Sequence, residues 1–444
     1  MSFDRERLLR ELNGLAALSG DPARLVIACS GGLDSTVLLH ALAVSREFHG
    51  KSLLAVYVDH GLHAGSGQWG DHCESFARSL DVEFARLAVD VMTDAGKGIE
   101  AAARTARYDM FHSLIREGDW LLSAHHKDDQ AETLLLNLMR GSGPAGLAGI
   151  GEVQPFGLGW LVRPLLDVSR TDLRNYADVH DLSWIDDPSN EDRQFDRNFL
   201  RHEILPKLEE RWPGVSGRLR QSAVLASEAA TMLDQLANDD LQALADRPDR
   251  LSLDALRVLP HERQRNVMRY VVRELGLPAP PAKQLRSIVA DLLPAREDAQ
   301  PLVQWKGAEV RRYRDHVYVL PESKFGSEAG AMPLTDNAVD LGAGMGELRL
   351  DAGAAKGLAA EVIDAGLEVR FRSGGEEIKP VGQSHTRKLK KLLQDEGVVP
   401  WMRDRLPLLY SGGELVAVAD LWIASAAASE PGVAVCWKNR PPIH

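Results

Sequence analysis

Residues 25–42, LVIACSGGLDSTVLLHAL, set a glycine-bearing turn between an apolar run of strand length and a segment of helical spacing. The unbroken run LVIAC predicts a strand covered on both faces, because a half-exposed strand would alternate. The turn SGGLDS, Ser30–Ser35, then meets a helix N-terminus, where free backbone N–H groups and the helix dipole favour an anion. Gly31 and Gly32 allow the backbone to approach that anion without a side chain in the way. The turn lacks the lysine that a GxxxxGK phosphate loop would supply. Asp34 offers a hard oxygen ligand, so a metal ion is the expected source of compensating charge. An ordinary strand-to-helix turn capped by Asp34 shares the two glycines, and only the complete six-residue string after a buried strand sets this one apart.

Working outward, SLLAVYV (52–58), EFARLAV (83–89) and WLLSAH (120–125) are further strand candidates, separated by helix-like segments. Repetition of strand and helix predicts an α/β domain with a doubly wound parallel sheet, whose ligands sit at the carboxyl ends of the strands. SGGLDS, VDHGLH (58–63) and HHKDD (125–129) all fall at such ends. The chain divides, on composition and pattern, into a catalytic domain over 1–214, a mainly helical middle domain over 215–325, an acidic connection over 326–368 and a small α+β C-terminal domain over 369–444.

The 444 residues exceed one ordinary domain of about 150. No stretch approaches the roughly 20 consecutive apolar residues of a membrane span, and the charged amphipathic start lacks the order of a secretory signal. A cytoplasmic protein without a membrane partner is expected. Cys29, Cys73 and Cys436 form no CxxC pair, which argues against a zinc site or a disulfide framework. The net charge of −12 argues at first against nucleic acid, but it is unevenly spread. Residues 326–368 carry eight acids and two cations, whereas KPVGQSHTRKLKK (379–391) carries five cations and no acid. A basic run is by default a solvated face; here it is also a candidate phosphate-binding surface.

In HHKDDQAETLLLNLM, Asp129 and Glu132 lie three apart in the first turn of an expected helix, on one face. They either complement the helix dipole or pair to hold a cation such as an amine substrate. Upstream, Glu100, Arg104, Arg107 and Tyr108 share roughly one helical face.

SGGLDS resembles the PP-loop of the N-type ATP pyrophosphatases, which cleave ATP between the α and β phosphates to make an adenylated intermediate. Together with VDHGLH, IEAAARTARY (99–108), HHKDDQAETLLLNLMRGSGPAGL, RPLL (163–166), DDPSNEDRQFDRNFLRHEILPKL (186–208) and the C-terminal segment from VRFRSGGE, the chain resembles the tRNA(Ile)-lysidine synthetase family. That resemblance implies ATP and Mg²⁺ as cofactors, and ligation of free L-lysine to C2 of the wobble cytidine in tRNA(Ile) with a CAU anticodon. It implies that Ser30, Gly31, Gly32, Leu33, Asp34 and Ser35 hold the nucleotide, with Asp34 on the metal and His60 nearby. Asp129 and Glu132 would receive the lysine, and Arg104 its carboxylate or the developing phosphate charge; Asp34, Arg104 and Asp129 are the implied catalytic set. The implied tRNA contacts are Arg193, Arg197, Asn198 and Arg201, with Arg387, Lys388, Lys390 and Lys391 in the C-terminal domain. A homodimer is left open. The lysine must be neutral to attack, and either Asp129 or a departing phosphate oxygen is the candidate proton acceptor. A tRNA thiolase of the same superfamily typically carries CxxC pairs or a catalytic cysteine near the active loops; here no CxxC pair is present, Cys29 falls in the expected strand and Cys73 in an expected helix.

Overall fold

The computed structural model of the protein describes residues 3–61, 65–89, 99–296, 299–322, 330–342 and 344–444, with the backbone alone at 99–101 and 246. The end of VDHGLH, the Glu100 side chain and parts of 326–368 therefore lie outside the described residues. The chain forms two compact units, Met1–Leu233 and Asp234–His444.

The first unit is built on α1 (Arg5–Ser19), β1 (Arg24–Cys29), α2 (Leu33–Val44), β2 (Ser52–Asp59), α3 (Ser66–Ser79), β3 (Glu83–Ala88), α4 (Ile99–Leu114), β4 (Asp119–Leu122), α5 (Lys127–Met139), β5 (Val153–Phe156), β6 (Gly159–Val162) and α6 (Arg170–Val179). Its sheet has the order β3-β2-β1-β4-β6-β5. All neighbours are parallel except the β5–β6 edge hairpin. Alternate residues of β1 enter opposite cores: Leu25 and Ile27 pack with Val37, Leu38 and Trp120, while Val26 packs with Val56, Leu121 and Phe111. Each such burial is worth roughly 1.5–3 kcal/mol, so an unbroken apolar run is what this position requires. The strand order reverses between β1 and β4, and that reversal makes their carboxyl ends neighbours. SGGLDS follows β1 and HHKDD follows β4, so topology alone brings the two motifs to one crevice.

The helix α7 (Val215–Leu244) contains the boundary between the units. In the second unit, helices His261–Glu274 and Ala282–Ser287 share a core with an antiparallel sheet whose strands include Leu302–Trp305, Ala308–Tyr313 and His316–Pro321. The acidic stretch expected as a connection is built into a further core: Glu347–Ala354 pairs with Ala338–Asp340 and with Gly432–Lys438, burying Leu348 and Leu350 on one face. Among the described residues no helix is long and apolar enough to cross a membrane.

Candidate active site

The turn after β1 is held by its own hydroxyls. Ser35 Oγ accepts from Ser30 N–H (3.2 Å), lies 3.1 Å from Ser30 Oγ, and donates to Gly32 O (3.1 Å). Gly31 has φ +82°, and a Cβ there would stand 3.1 Å from Ile185 Cδ1 and 3.3 Å from Cys73 Sγ. The left-handed backbone calls for glycine, and the two contacts leave a Cβ little room. Ile185 N–H donates to Gly31 O (2.9 Å), so the loop after α6 buttresses the turn. Gly32 caps α2 without a side chain, which leaves the N-terminal amides to an anion. Asp34 Oδ1 is buried and has no hydrogen-bond partner among the described residues.

Across the crevice, His126 caps α5. Its Nδ1 accepts from Asp128 N–H (3.2 Å), and its backbone N–H donates to Asp129 Oδ2 (2.9 Å). Asp129 therefore serves the helix cap, as its position in the first turn allows. The side chain of His126 is 1% exposed, and its Nε2 lies 3.5 Å from both Asp34 Oδ2 and Asp129 Oδ2. One histidine stands between the carboxylate of the nucleotide turn and the first acid of the amine candidate pair.

That acid pair is not bare. Glu132, 0% exposed, accepts from Arg197 Nε (2.6 Å) and Arg201 Nε (2.6 Å), while Asp129 Oδ1 accepts from both Nη2 groups at 3.1 Å. Arg197 and Arg201 sit one helical turn apart, on Asp129–Glu132's side of Asp196–Phe199 and the π-type turn Leu200–Ile204. The four side chains form a neutral quartet in a largely buried setting, where each ion depends on the others for compensation. Two arginines expected at the RNA thus engage the two acids expected at lysine. Asn198 has internal partners too, its Nδ2 donating to Ser189 O and Asp192 O at 2.9 Å, and Arg193 pairs with Glu203. Sequence patterns gave no hint of these pairings.

Electrostatics follow from this geometry. Burial pushes the Asp129 carboxyl up, but His126, Arg197, His125 and the His126 N–H together hold it below the usual carboxylate range. Burial pushes His126 down, and Asp129, Asp34 and Asp128 more than reverse this. His125, whose Nδ1 lies 2.6 Å from Ser123 Oγ, is pushed down to about 4, chiefly by burial. Its folded pKa lies below its unfolded value near 6.5, so the unfolded chain binds the extra proton. Its contribution to stability is complete above pH 6.5 and is lost as pH falls towards 4. Equilibrium unfolding of His125→Asn should show a shallower loss of stability over that window than the wild type, and identical slopes would contradict it.

Of the other expected residues, Leu33 is buried under the turn. His60 follows β2 with Nδ1 buried and without a hydrogen-bond partner among the described residues; burial and Arg107 lower its pKa. Arg104 is exposed on α4, with its guanidinium 5.7 Å from the Tyr108 ring centroid. In the second unit Lys388, Lys390 and Lys391 are exposed and make no ion pair among the described residues, whereas Arg387 pairs with Asp395. Among the described residues no three His, Cys, Asp or Glu side chains are grouped to hold a metal. The one buried, unpartnered carboxylate oxygen of Asp34 beside a phosphate turn suits an ion that takes one protein ligand and fills its shell with phosphate and water, as Mg²⁺ does.

The fold and the turn define a PP-loop ATP-binding enzyme, and residues 5–208 match the PP-loop domain family. Residues 251–318 match the TilS substrate binding domain and 367–437 the TilS substrate C-terminal domain. The chain is 42% identical to the tRNA(Ile)-lysidine synthase of Alkalilimnicola ehrlichii, over 98% of this chain and 97% of the relative. It is 39% identical to that of Coxiella burnetii, over 95% and 93%. The U34-tRNA thiolase NcsA of Methanococcus maripaludis, at 17% identity and TM-score 0.42, covers 49% of this chain and 77% of its own. The chain belongs to the tRNA(Ile)-lysidine synthase family and is a ligase of tRNA modification.

Proposed function

We propose that the protein joins free L-lysine to C2 of the wobble cytidine of a CAU-anticodon tRNA(Ile) in two steps within one crevice. The observation that carries this reading is the shared histidine: Asp34 of the nucleotide turn and Asp129 of the acid pair each lie 3.5 Å from His126 Nε2. Activation and amine attack then need no transport of the intermediate.

In the first step the amides after Ser30 and the two serine hydroxyls hold the phosphates, and Asp34 holds Mg²⁺. When bound, Mg²⁺ neutralises charge on the departing pyrophosphate. The cytidine 2-carbonyl oxygen bonds to the α-phosphorus as the bond to pyrophosphate breaks. In the second step the ε-amine of lysine bonds to C2, the C2–O bond breaks and AMP leaves. Asp129 and Glu132 receive the amine. Alone they would hold it as ammonium, but Arg197 and Arg201 offset their charge, which favours the neutral nucleophile. Asp129 is a poor base for it: moving a proton from an amine of pKa about 10.4 to a carboxylate below about 3.9 costs roughly 9 kcal/mol. The departing AMP, whose phosphate titrates near about 6, is the better acceptor.

Protein, tRNA and ATP labelled at the α-phosphate, without lysine, should move label onto the tRNA and release pyrophosphate; added lysine should then discharge the label as AMP. Label that never reaches the tRNA would refute the adenylated intermediate. Exposed Lys388, Lys390 and Lys391 support an RNA-facing role for the C-terminal segment. Replacing all three by Glu should weaken tRNA binding and reduce the slope of log affinity against log salt by about 3, one per lost phosphate contact. An unchanged slope in a filter-binding titration returns this run to a solvated face.

A further inference from the structure

Segment 193–203 carries the four polar side chains expected at the RNA beside the crevice, and the fold engages all of them within the protein. Arg197 and Arg201 hold Asp129 and Glu132, Asn198 donates to Ser189 O and Asp192 O, and Arg193 pairs with Glu203. What the segment leaves to solvent is aromatic: Phe195 is 47% exposed and Phe199 45%. Phe199 N–H donates to Phe195 O (2.9 Å), so the two residues stand one helical turn apart on one side of Asp196–Phe199. Neither ring belongs to a core of this unit, and among the described residues neither stacks on another ring or on a cation. Apolar residues exposed singly are ordinary. This pair is set apart by its place, because Arg197, between the two phenylalanines in sequence, reaches Glu132 Oε2 at 2.6 Å. The rings therefore border the acid pair that receives the amine.

A cytidine whose C2 is to meet that amine must leave its stack, which uncovers the faces of the bases on either side of it. Aromatic side chains replace such lost stacking, and they do so without reading sequence. With the four polar side chains engaged internally, stacking is the RNA chemistry that this edge of the crevice still offers. We infer that Phe195 and Phe199 form a stacking face for a nucleobase adjoining the wobble cytidine. They hold the anticodon loop open over the crevice while the cytidine occupies it, and so act as positioning residues. The inference deepens the two-step reading above and rests on its placing of the cytidine in this crevice.

A thermodynamic cycle on binding affinity tests it. Wild type, Phe195→Ala and Phe199→Ala are titrated with a CAU-anticodon tRNA(Ile) and with two versions carrying an abasic nucleotide. One version lacks the adenine that follows the wobble cytidine, and the other lacks the base that precedes it. On the intact tRNA each Ala variant should bind roughly 5- to 100-fold more weakly. On one of the abasic RNAs the same substitution should change affinity less than about twofold, because the face it stacks on is gone, and that RNA identifies the base. Phe199→Tyr keeps the ring and should bind like the wild type, whereas Phe199→Leu keeps apolar bulk without a flat face and should follow Phe199→Ala. These two variants keep the cycle readable if the Ala variants fold poorly. The slope of log affinity against log salt should stay at its wild-type value throughout, since no phosphate contact is removed. An equal loss on all three RNAs, no loss on the intact one, or wild-type binding by Phe199→Leu would overturn the inference. If the wild type places no lysine on the tRNA, the two-step reading falls instead, and the cycle, which reads affinity alone, still decides whether the rings stack.

Discussion

Asp34→Asn should release pyrophosphate at least about 100 times more slowly than the wild type while melting at nearly the same temperature. Under the proposed mechanism the rate loss follows from removing the one carboxylate proposed to hold Mg²⁺ at a turn that otherwise offers neutral donors, in a reaction whose leaving group carries several charges. The expected stability change is small because the carboxylate contributes little to the fold. Oδ1 makes no hydrogen bond among the described residues, Oδ2 has only its 3.5 Å approach to His126 Nε2, which the isosteric Asn keeps, and the acid's interaction with the α2 dipole is worth about 0.3–1 kcal/mol. A stopped pyrophosphate assay and a melting curve on one preparation separate these effects. Near-wild-type turnover would remove Asp34 from the chemistry, and a large fall in melting temperature would make it a structural residue.

Glu132→Gln should behave in the opposite way, losing stability as well as lysine transfer. The substitution keeps the shape of the side chain and removes the charge that both Nε groups face at 2.6 Å. Breaking one partner out of a buried ionic group costs about 3–5 kcal/mol, because the remaining charges are left uncompensated. At about 2–4 °C per kcal/mol for a unit of this size, the first unit should melt roughly 6–20 °C lower. Calorimetry measures this directly. An unchanged melting temperature would mean that Arg197 and Arg201 find other compensation, and the electrostatic account of the neutral amine would fail with it.

The sheet was readable wherever burial leaves a periodic or continuous trace. LVIAC and SLLAVYV announce central strands because both faces are covered. The short edge pair Val153–Phe156 and Gly159–Val162 carries no such trace, since Gln154 and Pro155 are exposed and a two-residue turn separates the strands. The acidic stretch did carry one: in ELRLDAGA, buried Leu348 and Leu350 alternate with half-buried Glu347, exposed Arg349 and half-buried Asp351, but the surrounding glycine, alanine and acid residues mask it.

At the candidate site, the turn was legible because SGGLDS acts through local backbone, and its hydroxyl contacts span at most five residues. The quartet was not, because Arg197 and Arg201 reach Asp129 and Glu132 across 65 to 72 residues, and charges brought together by topology leave no spacing to read. RPLL was visible as a motif, but only the folded chain exposes what is unusual about it, a buried Arg163 with an unpartnered nitrogen.

The central claim, ligation of lysine to the wobble cytidine, is tested most directly by the mass of the RNA. Protein, ATP, Mg²⁺, lysine and a CAU-anticodon tRNA(Ile) should yield tRNA heavier by one lysine less one water, with the gain on the wobble nucleotide and with AMP and pyrophosphate formed in equal amounts. Intact tRNA of unchanged mass, from protein that binds both ATP and tRNA, would contradict it.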